Sequence, residues 1–289
     1  MSAAQRGRLR SGTRACVPEE SSSLQGGHMK YAVIAGAVAA LCAATGTVLA
    51  ASEHHSMHVP AYIRKAVDDT SRPESDRKRD ADRKPAQVLA FAGIKPGMKV
   101  GELLPGQNYY TRLLCRIVGD QGHVYTYGIK MHMPPPEPGA PARPRMQMPP
   151  PGPIGCDNVT ASTQEASALS LDPDLDVVWT TENYHDLHNP MMGSPDMKQL
   201  DMAVYNALKP GGVFIVEDHA AEAGSGARDT GTLHRIDPAL VRQEVESAGF
   251  KFAGESHVVA NPSDNHSAKV FTMEDKTDRF LFKFRKPAG

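Results

Sequence analysis

The chain has 289 residues, 40% hydrophobic and 22% charged, an ordinary globular mixture that excludes a wholly disordered chain. Lys and Arg total 32 against 33 Asp and Glu, so the formal net charge of -1 provides no overall basic field for nucleic acid. The longest apolar run covers residues 31–51, which excludes a polytopic membrane protein.

The apolar run has the layout of a secretory signal peptide. Met29 and Lys30 form a short basic start, an Ala-rich apolar stretch follows, and polar residues come next. Residues 29–51 are therefore predicted to be a signal peptide, cleaved after Ala50 as first choice and after Ala51 as second. The mature protein is then periplasmic or secreted, with no stable membrane insertion. The alternative is an uncleaved anchor, because about 20 apolar residues can span a bilayer.

Two segments flank the signal peptide. Residues 1–28 carry four arginines and no core pattern, so we interpret them as an extension outside the native protein, with translation beginning at Met29. Residues 52–84 form a polar segment. Its charged run at 76–84 is predicted to be a solvated helical face or a linker.

From Pro85 onward, strand patterns alternate with helix patterns. The predicted strands are Met98–Leu104, His123–Ile129, a short one near Val159, Leu175–Thr181, Val213–Glu217, Phe250–Val259 and Arg279–Arg285. The predicted helices are Ala86–Ala92, Asn108–Val118, Asp196–Leu208 and Pro238–Ala248. The alternation predicts one α/β domain over residues 85–289, a Rossmann-like, doubly wound and mainly parallel seven-stranded sheet that ends in an antiparallel hairpin.

A Pro- and Met-rich insertion interrupts this domain at residues 130–155. It holds ten of the 23 prolines, which predicts an extended loop outside the sheet. Two cysteines remain after the signal peptide, Cys115 and Cys156. They either pair in an oxidising compartment or stay as two free buried thiols, because the sequence gives no distance between them.

The order of these elements resembles a class I S-adenosylmethionine-dependent methyltransferase. Residues 100–111, VGELLPGQNYYT, lie where that family has its glycine-rich cofactor loop, and residues 208–213, LKPGGV, match its turn before the fifth strand. The motifs NYHDLH at 183–188, EDH at 217–219 and TLHRID at 232–237 resemble, more narrowly, a bacterial group of predicted methyltransferases, many of them exported.

The resemblance implies a cofactor site for S-adenosylmethionine at the end of the first strand. The residues that it assigns to cofactor binding are Glu102, Pro105, Gly106, Asn108, Tyr109 and Asn183. Leu104 and Asn108 stand where the first and third glycines of the family's loop are usual, and the second strand ends without a carboxylate for the ribose. The alternative is an old cofactor fold whose loop is partly lost.

Polar residues follow the fourth and fifth predicted strands, and parallel strands bring their carboxyl ends to one edge of the sheet. As catalytic residues we predict His185, Asp186, His219 and Tyr184, with His185 or His219 taking a proton from the acceptor. A metal site is the alternative, with His185, His188 and His219 as ligands, or His234 in place of His219. The third interpretation is a structural hydrogen-bond network.

Met and His residues outside this cluster suggest copper as a second possible metal. They are His54, His55, Met57 and His58 after the cleavage site and the two Met-x-Met units of the insertion. The leading prediction is transfer of a methyl group from S-adenosylmethionine to an unidentified small acceptor, without nucleic acid. The alternative is an exported non-catalytic or copper- or zinc-binding protein on the same fold.

Overall fold

A computed structural model of the chain describes residues 58–133 and 151–289. The predicted extension at 1–28, the signal peptide at 29–51 and most of the insertion at 130–155 lie outside the described residues. Across the two described stretches, no helix is both long enough and apolar enough to cross a membrane.

Seven strands form one sheet in the order β3-β2-β1-β4-β5-β7-β6. Their bounds are β1 Lys99–Leu103, β2 His123–Ile129, β3 Val159–Gln164, β4 Leu175–Thr181, β5 Leu208–His219, β6 Lys251–Ser256 and β7 Arg279–Arg285. Strand β7 is antiparallel to both neighbours, and all other pairs are parallel. This confirms the predicted fold, a Rossmann-like sheet of the class I methyltransferase type.

Within the described residues, six α-helices accompany the sheet: α1 Ala61–Val67, α2 Glu74–Arg83, α3 Pro85–Ala92, α4 Tyr109–Val118, α5 Met197–Ala207 and α6 Pro238–Ser247. Successive strand residues point to opposite faces, so Trp179 packs with the core of α1, α3 and α4, whereas Val178 packs with the core of α5 and α6. Helices therefore cover both faces, as a doubly wound sheet requires.

The fifth strand is longer than predicted. It runs to His219 because β7 pairs with it residue by residue, from Val213 opposite Arg285 to His219 opposite Arg279. The extension carries Asp218 and His219 inside the sheet, where both side chains are buried.

The prediction of a solvated helical face for residues 76–84 holds for one side of α2, where Arg77, Lys78 and Asp82 are exposed, but the opposite side of the helix is buried. Asp76 and Arg83 are each only 6% exposed. Asp76 accepts from the Nε of Arg112 at 2.7 Å, and Arg79 donates to Asp275 at 2.6 Å. The charged residues on the buried side of α2 face the body of the protein. Ion pairs stabilise them there, and a hydrophobicity pattern does not reveal such pairs.

The sequence did not decide whether the two cysteines pair, and in the structure they form a disulfide. Cys115 in α4 and Cys156 before β3 are bonded, with their Cα atoms 6.3 Å apart. Asn158 supports the junction, because its side chain donates to the backbone oxygens of Cys115 and Gly119. The bond ties the segment before β3 to the helix that follows the predicted cofactor loop.

Candidate functional site

The loop between β1 and α4 has three residues with positive φ: Leu104 at 52°, Gly106 at 52° and Asn108 at 64°. Glycine at 106 adopts this backbone without strain, and no atom lies within 4 Å of where its Cβ would be. Asn tolerates the conformation at 108, whereas Leu104 holds it at a steric cost. The loop thus keeps the backbone path of a glycine-rich loop although glycine remains only at 106.

Glu102 lies at the carboxyl end of β1 and is 2% exposed. Thr111 donates a hydrogen bond to its carboxyl group at 2.5 Å. Burial raises the pKa of Glu102 to about 8 and outweighs the opposing effects of Thr111 and Arg112. Its carboxyl group is therefore mainly protonated at neutral pH in the absence of a cationic ligand.

A small pocket of about 140 Å³ opens beside this loop. Of the predicted cofactor-binding residues, Glu102, Pro105, Gly106, Tyr109 and Asn183 line it. Asn108 does not line it. It occupies the N-cap position of α4 without a capping hydrogen bond from its side chain, and its Oδ1 accepts from the Thr111 hydroxyl at 3.5 Å.

Three contacts fix side chains at the wall of this pocket. Asn183 donates to the backbone oxygen of Leu104 at 2.9 Å and so bridges the ends of β4 and β1. The Tyr109 hydroxyl donates to Asp80 in α2 at 2.6 Å, and the Arg83 guanidinium lies 4.9 Å from the Tyr109 ring centroid.

The arginines of α2 join a buried ion network at the carboxyl end of the sheet. Arg83 contacts both Glu182 and Asp275, and Arg279 contacts both Glu182 and Glu217. Burial alone would raise the pKa of Glu182, but Arg83 and Arg279 hold it at about 2. Burial is the main cause that raises the pKa of Glu217 to about 7.

Sequence reasoning missed four members of this network: Arg83, Glu182, Asp275 and Arg279. The position of Glu182 was the available signal, because it directly follows β4 and precedes the predicted residue Asn183. The arginines gave no such signal, since one lies in a charge run and the other begins the last strand.

A larger pocket of about 420 Å³ lies over the ends of β4 and β5. It is lined by Arg79, Glu182, Asn183, His185, Asp186, His219, His234, Val270, Phe271 and Asp275. The structure thus brings His185, after β4, close to His219 at the end of β5, and the loop between β5 and α6 brings His234 to His185. Arg79, Glu182 and Asn183 line both pockets, so the two pockets are contiguous.

His185 is held by a buried carboxylate. Its Nδ1 lies 2.8 Å from Asp218 Oδ1, and its backbone NH donates to Asp218 Oδ2 at 2.7 Å. Burial alone would lower the pKa of His185, but Asp218 and Asp186 raise it to about 10. The two carboxylates thus favour the charged form of His185 in the free protein. That His185 takes a proton from the acceptor stays a prediction.

His219 has the opposite environment. It is 4% exposed, and its Nδ1 lies 2.7 Å from the Thr277 hydroxyl. Burial lowers its pKa to about 4 and outweighs the carboxylates of Glu182 and Asp218. His219 is thus a neutral imidazole at the pocket wall.

Two predicted site residues lie outside the pocket. Tyr184 is fully buried, and its hydroxyl oxygen lies within hydrogen-bond distance of both Asp201, at 2.9 Å, and Glu244, at 3.1 Å. His188 Nε2 also lies 3.1 Å from Glu244. Tyr184 therefore has no catalytic contact. The predicted metal set of His185, His188 and His219 is also wrong, because these side chains point to different partners.

No protein-family model matches the chain, and no curated protein sequence matches it. Solved structures do match. A SAM-dependent methyltransferase from Aquifex aeolicus is 16% identical, with a TM-score of 0.48 over 74% of this chain and 98% of that one. A putative sarcosine dimethylglycine methyltransferase from Galdieria sulphuraria is 16% identical, with a TM-score of 0.46 over 80% and 94%.

A third match is the N-methyltransferase NodS from Bradyrhizobium japonicum. It is 12% identical, with a TM-score of 0.47 over 74% of this chain and 98% of that one. These similarities concern the fold, and at this identity they assign neither a substrate nor a chemical role to any residue of this chain.

The residues around the smaller pocket fit the amino-acid end of S-adenosylmethionine. Gly106 leaves its backbone open to a ligand, the Glu102 carboxyl group suits an ammonium, and guanidinium groups such as that of Arg79 suit a carboxylate. A volume of 140 Å³ is below the ~300 Å³ at which drug-sized ligands begin to fit. The smaller pocket by itself is therefore too small for the complete cofactor.

Proposed function

We propose that the protein is an S-adenosylmethionine-dependent methyltransferase that acts on a small acceptor. The observation that carries the proposal is that the two pockets adjoin each other at the carboxyl end of the sheet. One pocket adjoins the loop that resembles a cofactor loop, the other lies over β4 and β5, and Arg79, Glu182 and Asn183 line both. Methyl transfer depends mainly on holding donor and acceptor in line, and contiguous pockets are suited to that.

The bound cofactor would supply an electrophilic methyl group. In the smaller pocket, Gly106 and Glu102 would hold its amino-acid end. In the larger pocket, polar groups surround a space that suits a small polar acceptor, and Phe271 stands exposed at its wall. His219, whose pKa burial lowers, is a neutral imidazole that would accept a hydrogen bond from the acceptor, whereas Asp218 and Asp186 favour the charged form of His185.

We also propose that the protein is exported, with residues 29–51 as the signal peptide and translation from Met29. The disulfide between Cys115 and Cys156 supports this proposal, since such bonds persist mainly in oxidising compartments. Mass spectrometry of the N-terminal peptide tests it. A mature start at Ala51 or Ser52 is expected, and peptides from residues before Met29 would contradict it.

Calorimetric titration with S-adenosylmethionine tests the proposed function. Glu102→Gln keeps the size of the side chain and can still accept from Thr111. It removes only the ability of residue 102 to ionise, and so to carry a negative charge, when the ammonium group of the ligand binds. We expect wild-type binding that weakens clearly in Glu102→Gln. Glu255→Gln, an exposed change on β6, is the matched control and should bind as wild type. Absence of wild-type binding at millimolar cofactor would overturn the proposal.

A further inference from the structure

We infer that His185, Asp186 and His234 form a binding site for a divalent transition-metal ion, for which Zn²⁺ is the probe. The inference goes beyond the proposed methyl transfer and does not rest on it. Three atoms carry it: His185 Nε2, Asp186 Oδ1 and His234 Nδ1. They come from the turn after β4 and from the loop between β5 and α6.

The three atoms form a nearly equilateral triangle. His185 Nε2 lies 3.3 Å from both Asp186 Oδ1 and His234 Nδ1, and His234 Nδ1 lies 3.4 Å from Asp186 Oδ1. Zinc bonds to imidazole nitrogen and carboxylate oxygen are about 2.0–2.2 Å long. Ligand atoms on a tetrahedron of that size are about 3.3–3.6 Å apart. The spacing is thus that of three ligands around one ion.

The carboxylate behind His185 completes the arrangement. Asp218 is fully buried, accepts from the His185 backbone NH and lies 2.8 Å from Nδ1. This contact orients the ring and directs Nε2 toward the triangle. Histidines that ligate metals almost always use the second ring nitrogen in this way, and the partner carboxylate raises the basicity of the ligand.

One side of the triangle faces the 420 Å³ pocket. Three protein ligands and an open position are characteristic of catalytic rather than structural zinc sites. Two imidazoles and one carboxylate suit Zn²⁺ and its neighbours in the first transition row, whereas Mg²⁺ and Ca²⁺ prefer oxygen ligands only. The open position would take water or an oxygen- or nitrogen-donor ligand held in the pocket.

The competing interpretation is a hydrogen-bond network with no ion. Equilibrium dialysis of the full chain against Zn²⁺ alone separates the two, with bound metal counted by elemental analysis. The variants are His234→Gln and Asp186→Asn, at partly exposed positions, and Asp218→Asn behind the ligand. His188→Gln is the matched control, because His188 is a neighbouring histidine that contacts Glu244 instead.

We expect wild type to bind one Zn²⁺ that both ligand variants lose, with affinity reduced at least about 100-fold, and Asp218→Asn to reduce it about 10–100-fold. His188→Gln should bind as wild type, and any second ion on the His54–His58 segment should persist in every variant. The inference is overturned if wild type binds no Zn²⁺, or if His234→Gln keeps the full wild-type number. Because no cofactor is present, the result is independent of whether S-adenosylmethionine binds.

Discussion

The Cys115–Cys156 disulfide should contribute several kcal/mol to stability, and its loss is the perturbation that we work out in full. The bond joins residues 41 positions apart and so closes a loop that contains β2 and the insertion. For a closed loop of that length, the chain-entropy relation gives about 4 kcal/mol at 25 °C. Cys156→Ala breaks the bond at a half-buried position and leaves Cys115 in the core.

Urea denaturation with and without a phosphine reductant measures the effect. With a urea m-value of about 3 kcal/mol/M, a loss of about 4 kcal/mol lowers the midpoint by about 1.3 M. Cys156→Ala should show the lower midpoint under both conditions, whereas wild type should fall to it only when reduced. A reduced wild type within about 1 kcal/mol of the oxidised protein would refute the reasoning, as would two alkylatable thiols in the freshly purified chain.

Three further predictions follow from the buried charges. Because the pKa of Glu102 is about 8, affinity for S-adenosylmethionine should rise from pH 6 to pH 8 in calorimetry, and Glu102→Gln should remove that dependence. The raised pKa also means that the contribution of Glu102 to the free energy of unfolding is full below pH 4.5. This contribution, up to about 5 kcal/mol, is lost as the pH rises to 8. The free energy of unfolding from urea curves should therefore depend less on pH in Glu102→Gln than in wild type. Arg83→Met should cost about 3–5 kcal/mol in the same assay, because it leaves Glu182 and Asp275 short of a cation. The exposed Lys78→Met should cost below about 1 kcal/mol, and equal costs would contradict this account.

The strands of the sheet could be predicted from the sequence because a strand pattern depends on the hydrophobicity of neighbouring residues. Strands β2, β4 and β7 have the predicted bounds, and the predicted antiparallel hairpin at the end of the chain is formed by β6 and β7. The topological rule for parallel strands brought His185, Asp218 and His219 to one edge of the sheet. Sequence patterns predicted two kinds of feature well. These are the strands, which depend on residues close together in the chain, and the positions of residues at the carboxyl ends of parallel strands.

The sequence could not predict the direction in which each side chain of the site points. His185 and His188 are three positions apart, yet one contacts Asp218 and the other contacts Glu244. Only the path of the turn at 185–188 decides this, and that path is set by the hydrogen bond from the His185 backbone to Asp218. A ligand set chosen by sequence spacing therefore included His188 and omitted Asp186.

The ion pairs of α2 were missed for a related reason. Residues 74–83 have the composition of a solvated helix, and nothing within the segment marks Arg83 as buried. Its partners, Glu182 and Asp275, are 99 and 192 positions away. Long-range ion pairing has no local periodicity, so it appears only when the sheet edge and the helix are seen together.

The two pockets adjoin each other, and this leads to a last prediction that links the two proposals. If Zn²⁺ and S-adenosylmethionine occupy adjoining spaces, a dication and a sulfonium would repel each other, so each should weaken binding of the other. Thermodynamic linkage requires the same factor in both directions, and couplings between sites are typically 5–150-fold. Calorimetric titration of each ligand in the presence and absence of the other measures it, with His234→Gln as the control that should abolish the coupling. Tight binding of both ligands to wild type with no mutual effect would show that the shared residues Arg79, Glu182 and Asn183 do not join the two sites energetically.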